Sequence, residues 1–240
     1  MLGRDQIYVF GGWQRGDGFA PSNHVNLIDF QDTSKPKVSR VGYMNFPRSD
    51  ANATILPNGD VFINGGHRLN DLEFSVLEPE IFSRKNNSFS TMSPAKFRRN
   101  YHATSLLLPN GTVLVAGGDI WNAEVFYPPY LFTKNKKSET VLAKRPVIDL
   151  RTEKPNRGEA VVFSDSADTI AELTIISGGS TTHAQGSEPK FLNLKIISRD
   201  SKKIIFEIPE NRNLLQNGFY MIFGVTHDGV PSEGALITLS

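Results

Sequence analysis

Three side chains in this sequence are of the types that do chemistry. Tyr101 and His102 stand side by side where a hydrophobic run begins, and His183 lies in the small-residue stretch Gly178-Gly179-Ser180-Thr181-Thr182-His183-Ala184-Gln185. A histidine at a strand entrance can be a metal ligand or a hydrogen-bonded structural group. A histidine in a long small-residue loop can be functional, because such loops often carry function, or simply solvated. There is no cysteine, which excludes disulfides, thiolate metal sites and a cysteine nucleophile within the chain. His24, His67 and His227 read as structural.

The elements that must hold these groups are hairpins. Leu106 to Leu108 and Val113 to Val115 flank Pro109-Asn110-Gly111, and Gly117-Gly118 closes the second run. Asn-Gly between apolar runs predicts a tight hairpin with both turn residues at positive φ. The same pattern, Ile55 to Gly66, occurs 52 residues earlier, and its second half, Ile7 to Gly12, a further 54 residues back. A strand-rich unit repeating about every 50 residues is the pattern of a kelch-type propeller blade. Aligned on Gly59 and Gly111, Asp50 occupies the position of His102, nine residues before the turn glycine. Groups at these entrances can converge near a propeller axis.

After Phe132 the pattern changes. Residues 133–144 are polar, with Lys134, Lys136 and Lys137, and read as a solvated linker. Seven short alternating segments follow: Val147 to Leu150, Glu159 to Phe163, Ala171 to Ile176, Lys190 to Ile197, Lys203 to Ile208, Gly218 to Val225 and Ala235 to Leu239. That spacing predicts an immunoglobulin-like sandwich. The expected fold is therefore all-β: two to three propeller blades over 1–132, a linker over 133–144 and a sandwich over 145–240. Met1 lies six residues before Ile7, so the first blade is expected to begin midway. Two or three blades cannot close a ring. A longer protein or a second chain is expected to supply the rest.

Lys and Arg number 26 against 25 Asp and Glu, so no global field attracts nucleic acid or an anionic membrane. No apolar run is long enough for a membrane span, and the N-terminus shows no signal-peptide pattern. Asn52, Asn86 and Asn110 begin glycosylation sequons, the last inside a tight turn.

Residues Arg99 to Gly111, Ala123 to Phe132, Arg145 to Ile148, Thr181 to Ala184 and Gly218 to Ser232, taken in order and spacing, resemble the C-terminal region of the copper radical oxidases, the group of galactose oxidase and glyoxal oxidase. The resemblance covers essentially the whole chain. It implies the last blades of a kelch-type propeller followed by an early-set immunoglobulin-like domain. It also implies Tyr101 as axial tyrosine and catalytic base, with His102 and His183 as the two histidine ligands of Cu(II). Imidazole and phenolate suit that ion's preference for nitrogen and oxygen donors. The implied activity is oxidoreductase: a primary alcohol or aldehyde, or a carbohydrate carrying one, is oxidised with O2 reduced to hydrogen peroxide. The implied location is extracellular.

The sequence departs from that pattern in ways that bear on function. The group's radical cofactor is a tyrosine cross-linked to cysteine, and this chain has neither the cysteine nor a matching tyrosine; Asp50 stands at the one complete upstream entrance. The copper site is thus incomplete, and the isolated chain is expected to be inactive. The loops after the Gly-Gly pairs differ too, with Trp13, Arg68 and Phe74 as candidate pocket residues or plain rim residues. The alternative reading is a carbohydrate- or protein-binding module built on the same scaffold.

Overall fold

The computed structural model describes residues 5–13, 20–69, 72–182, 185–187 and 190–240. The chain is all-β. Its strands are β1 (Gln6–Phe10), β2 (His24–Asp29), β3 (Lys37–Tyr43), β4 (Ser49–Ile55), β5 (Val61–His67), β6 (Glu80–Ser83) and β7 (Ser88–Thr91). They continue with β8 (Ala103–Leu107), β9 (Val113–Gly117), β10 (Ala123–Phe126), β11 (Phe132–Lys134), β12 (Thr140–Leu142), β13 (Gly158–Phe163) and β14 (Ile170–Ser177). The last are β15 (Ser180–Thr182), β16 (Gln185–Ser187), β17 (Phe191–Arg199), β18 (Lys203–Ile208), β19 (Gly218–Thr226) and β20 (Ala235–Leu239). Packing divides the chain into two units, one of residues 1–107, 113–126 and 179–189, the other of residues 108–112, 127–178 and 190–240.

The first unit is a partial propeller. Its complete blade is the antiparallel sheet β4-β5-β6-β7, flanked in sequence by the three-stranded sheets β1-β2-β3 and β8-β9-β10. Position in the sheet sets the burial: the inner β5 is buried along its whole length, whereas the outer β3 and β7 are mostly exposed. Between blades, Phe62 stacks on Phe126 at 4.2 Å and Phe82 packs against Tyr8 and Phe10, while Phe89 meets Phe82 within its own blade. Such aromatic pairs add about 0.5–1.5 kcal/mol beyond area burial.

A polar device repeats from blade to blade, and sequence reading missed it. Arg48 donates to the carbonyl of Gly65 and to Glu80 on β6, and the other Glu80 oxygen accepts the amide of Asn45. One blade on, Arg99 donates to the carbonyl of Gly117, approaches Glu124 on β10 at 3.6 Å, and Glu124 accepts the amide of Lys96. The carbonyls of the same two arginines accept the amides of Gly12 and Gly66 in the preceding blades. Each arginine therefore pins its own blade and is held by the one before it. Glycine is required at the contact: a Cβ on Gly65 would lie 2.1 Å from the Arg99 carbonyl oxygen, and its φ is +69°.

The turns differ from the predicted form. Of Pro57, Asn58 and Gly59, and of Pro109, Asn110 and Gly111, only the glycines have positive φ. The amide of Gly59 bonds the Leu56 carbonyl and that of Leu56 bonds Asp60, with the same pair of bonds around Gly111. This is a type I turn followed by a left-handed glycine bulge. Proline explains it, because its ring holds φ near −65° at the first central position and forbids a turn needing φ > 0 there.

The second unit centres on one six-stranded antiparallel sheet of order β13-β18-β17-β14-β19-β20. Val162, Leu173, Ile175, Ile204, Phe206, Ile222 and Ile237 form its core. The Tyr220 hydroxyl, at the start of β19, donates to the Gln216 carbonyl at 2.9 Å, the tyrosine corner of immunoglobulin-like folds. Six of the seven expected segments are strands of this sheet. The segment 147–150 instead makes a single bridge, Asp149 to Phe163, because Pro146 precedes it and Val147 stands exposed. Residues 133–144 hold the β11–β12 hairpin, whose turn is braced by the Asn135 side chain accepting the amides of Lys137 and Glu139.

Arg145 anchors this second unit through backbone carbonyls. Its guanidinium donates to three carbonyls: Pro231 at 2.8 Å, Asn110 at 2.6 Å, and Ser232. The Tyr130 hydroxyl donates to the Gly111 carbonyl, and the Gly234 amide to Pro109. Burial pushes the Arg145 guanidinium below its ordinary pKa.

Candidate functional site

Tyr101 and His102 form the turn that enters β8. Both are exposed, their rings lie 3.9 Å apart at 33°, and His102 is held in the left-handed region at φ 63°. That conformation is costly for a residue other than glycine and persists only where its surroundings fix it. Here the carbonyl of His102 accepts the amide of Gly118, while the buried Arg99 and Asn100 hold the preceding residues. The Asn100 amide group reaches Ser75, and the Gly66 amide bonds the Arg99 carbonyl. Elements of the preceding blade thus position the Tyr-His entrance.

Asp50 does occupy the equivalent entrance, at the head of β4, and it too is left-handed, at φ 54°. β4 and β8 pack together, and the Thr54 and Ser105 hydroxyls bond at 2.7 Å. The entrances of Asp50 and His102 therefore open the two adjacent inner strands. β15 packs against β8 and β16 against β4. These two short strands flank His183 in sequence; His183 itself lies outside the described residues.

His67, read from sequence as structural, is the partner of Asp50. His67 Nε2 lies 2.8 Å from Asp50 Oδ2, and the Ser49 hydroxyl lies 3.3 Å from Nδ1. Trp13 meets the His67 ring edge-on at 5.7 Å. Arg68 lies over the Phe46 ring at 4.7 Å, and Phe74 is exposed in a short 3-10 turn. Of the sequence candidates for a pocket, Trp13 alone is thus brought to a titratable pair. His67 directly follows the Gly65-Gly66 pair, at the end of the strand that pairs with the entrance of Asp50. His24 packs against Tyr43, as a structural histidine does.

Comparison with known proteins bears on these residues. The galactose oxidase-like early set family matches residues 145–239. Those residues form a galactose oxidase-like early set domain. The chain as a whole resembles the galactose oxidase and glyoxal oxidase group along nearly its full length. It is 27% identical to galactose oxidase of Gibberella zeae over 99% of the chain, and 28% identical to the aldehyde oxidase GLOX of Vitis pseudoreticulata over 97%. It covers 36% of the first relative and 50% of the second, so it spans about a third to a half of their lengths. A fungal alcohol oxidase of the AA5 family, solved in complex with copper, superposes with a TM-score of 0.84 at 23% identity, over 99% of this chain and 52% of that one. The latter likeness is one of fold. The early set domain carries the tyrosine corner and the Arg145 anchor described above.

A copper ion of the kind the resemblance implies fits the donors in part. Tyr101 and His102 offer a phenol and an imidazole side by side, the nitrogen and oxygen set that Cu(II) accepts. Among the described residues, no group of three or more His, Asp and Glu side chains is arranged to hold a metal ion. A cysteine-linked tyrosine radical does not fit, since the chain has no cysteine. Among the described residues, no helix is long and apolar enough to cross a membrane.

Proposed function

We propose that this chain is the C-terminal part of a galactose oxidase- or glyoxal oxidase-like copper radical oxidase, with propeller blades over 1–132 joined through 133–144 to the early set domain over 145–240. The whole protein would oxidise a primary alcohol or aldehyde and reduce O2 to hydrogen peroxide, outside the cell as the resemblance implies. Copper, when bound, would supply Lewis acidity and a one-electron acceptor. Tyr101, His102 and His183 would hold it, and the Tyr101 phenolate would accept the substrate hydroxyl proton.

The observation that carries this reading is the packing of β15 and β16 against β8 and β4. It brings the two strands on either side of His183 to the inner strands β8 and β4, at whose heads His102 and Asp50 stand. With no cysteine in the chain, the radical cofactor is absent from it, and the isolated chain is inactive. The test is peroxide formation from galactose or methylglyoxal by the copper-loaded chain alone. None is expected, and sustained peroxide production would overturn the claim.

A second reading, a binding module without catalysis, is favoured by one observation. Asp50, paired with His67, stands at the entrance equivalent to that of His102. Copper binding separates the two readings, because the module needs none. Co-purification of a larger chain would identify a partner that supplies further blades.

A further inference from the structure

We propose that Asn52 and Asn64 form a buried water-binding site between two propeller blades, where ordered water joins the β4-β5 pair to the blade of β8, β9 and β10. Asn52 is 1% exposed and Asn64 4%. Neither Oδ1 nor Nδ2 of Asn52 has a hydrogen-bond partner among the described residues, and the same holds for Oδ1 of Asn64. The two residues stand directly opposite each other in the register of β4 and β5. Their side chains therefore share one face of the sheet, with Cβ atoms about 5 Å apart. Three unpartnered amide atoms are thus gathered in one enclosed place.

That face looks onto the next blade. Two residues on from Asn52, the Thr54 hydroxyl bonds the hydroxyl and carbonyl of Ser105 on β8, and its cross-strand neighbour Phe62 stacks on Phe126 of β10. Two residues on from Asn64, the Gly66 amide bonds the Arg99 carbonyl. The place is therefore closed along the strands by Thr54–Ser105 and Phe62–Phe126 on one side and by Gly66–Arg99 on the other. Alternation puts Ala103, two residues before Ser105, on the side of β8 that faces β4, and its side chain is a single methyl. Native interiors satisfy buried amides, and where protein groups do not reach them, ordered water making about three bonds does. The donor set selects water, which gives hydrogens to the two carbonyl oxygens and accepts one from the amide nitrogen. A metal cation would suit the oxygens alone, and an apolar occupant would satisfy none of the three.

The test is a crystal structure of the full 240-residue chain at a resolution that shows water, with NMR detection of magnetisation transfer from bound water to the Asn52 side-chain amide protons. Solvent density is expected within about 3.2 Å of Asn52 Nδ2 and of at least one of the two Oδ1 atoms, with transfer to the amide protons. Asn52→Leu and Asn64→Leu should each lower the urea midpoint, because each leaves polar atoms of the other residue short of partners. The double variant removes all three atoms and should lose less than the sum of the single losses. Density that is empty or refines as a metal ion, amides bonded directly to protein groups, or additive losses in the double variant would overturn the proposal. The crystal and NMR readouts use the parent chain, so they decide the question even where a variant fails to fold.

Discussion

Removing the Glu80 carboxylate gives the sharpest energetic test of how the blades are held. Arg48 and Glu80 are both wholly buried, 2.8 Å apart, and the guanidinium also serves the carbonyls of Gly65 and Glu78. Burial already pushes the Arg48 guanidinium below its ordinary pKa, with Glu80 the main group opposing the shift. Glu80→Ala therefore strands a buried cation, orphans the Asn45 amide and opens a cavity. Breaking a buried pair from one side costs about 3–5 kcal/mol. At Glu124 the ion pair is longer, 3.6 Å, and the carboxylate is 25% exposed, so Glu124→Ala is expected to cost on the order of 1 kcal/mol. In urea, with a slope of about 2–3 kcal/mol per molar, the first variant should lose about 1–2 M in midpoint and the second a few tenths. Glu80→Gln, which fills the same volume, should resemble Glu80→Ala, separating charge from cavity. Equal midpoints for Glu80→Ala and Glu124→Ala would refute the reasoning.

Further outcomes follow from the same structure. Gly229→Ala introduces a side chain at φ +82° into open space and should cost about 1 kcal/mol, whereas Gly65→Ala drives a Cβ to 2.1 Å from a carbonyl oxygen and should cost several times more by urea unfolding. Burial raises the Asp60 carboxyl above its usual range, against the bonds it accepts from Asn58 and the Arg84 amide. A raised carboxyl favours the folded state at low pH, and that contribution is lost as pH rises through the folded pKa. Asp60→Asn should therefore gain stability over the parent at neutral pH, with the gain vanishing below about pH 4; a pH-independent difference would contradict this.

Much of the fold was legible because it is written in local chemistry. The two complete hairpins repeat Pro-Asn-Gly and Gly-Gly at fixed distance, and hydrophobic alternation marks β13, β14 and β17 to β20. The turn type was misread because Asn-Gly was weighed without the preceding proline. Segment 147–150 looked like a strand because composition does not reveal whether a partner edge is available. The Arg48–Glu80 pin lay hidden because its members are 32 residues apart, although Phe46-Pro47-Arg48 and Phe97-Arg98-Arg99 repeat at an interval of 51. At the candidate site, Tyr101 and His102 were visible as an adjacent pair. The bond from His67 to Asp50 was not, because pairing across antiparallel strands depends on a register fixed by the Gly65-Gly66 bend.

The central claim is tested most directly by Cu(II) titration of the chain followed by electron paramagnetic resonance. One loosely but specifically bound ion with nitrogen hyperfine structure is expected, with affinity falling at least tenfold in His102→Ala and in His183→Ala and the spectrum altered in Tyr101→Phe. Absence of specific binding, or binding that is unchanged in both histidine variants, would contradict the account and leave the binding module as the reading of this scaffold.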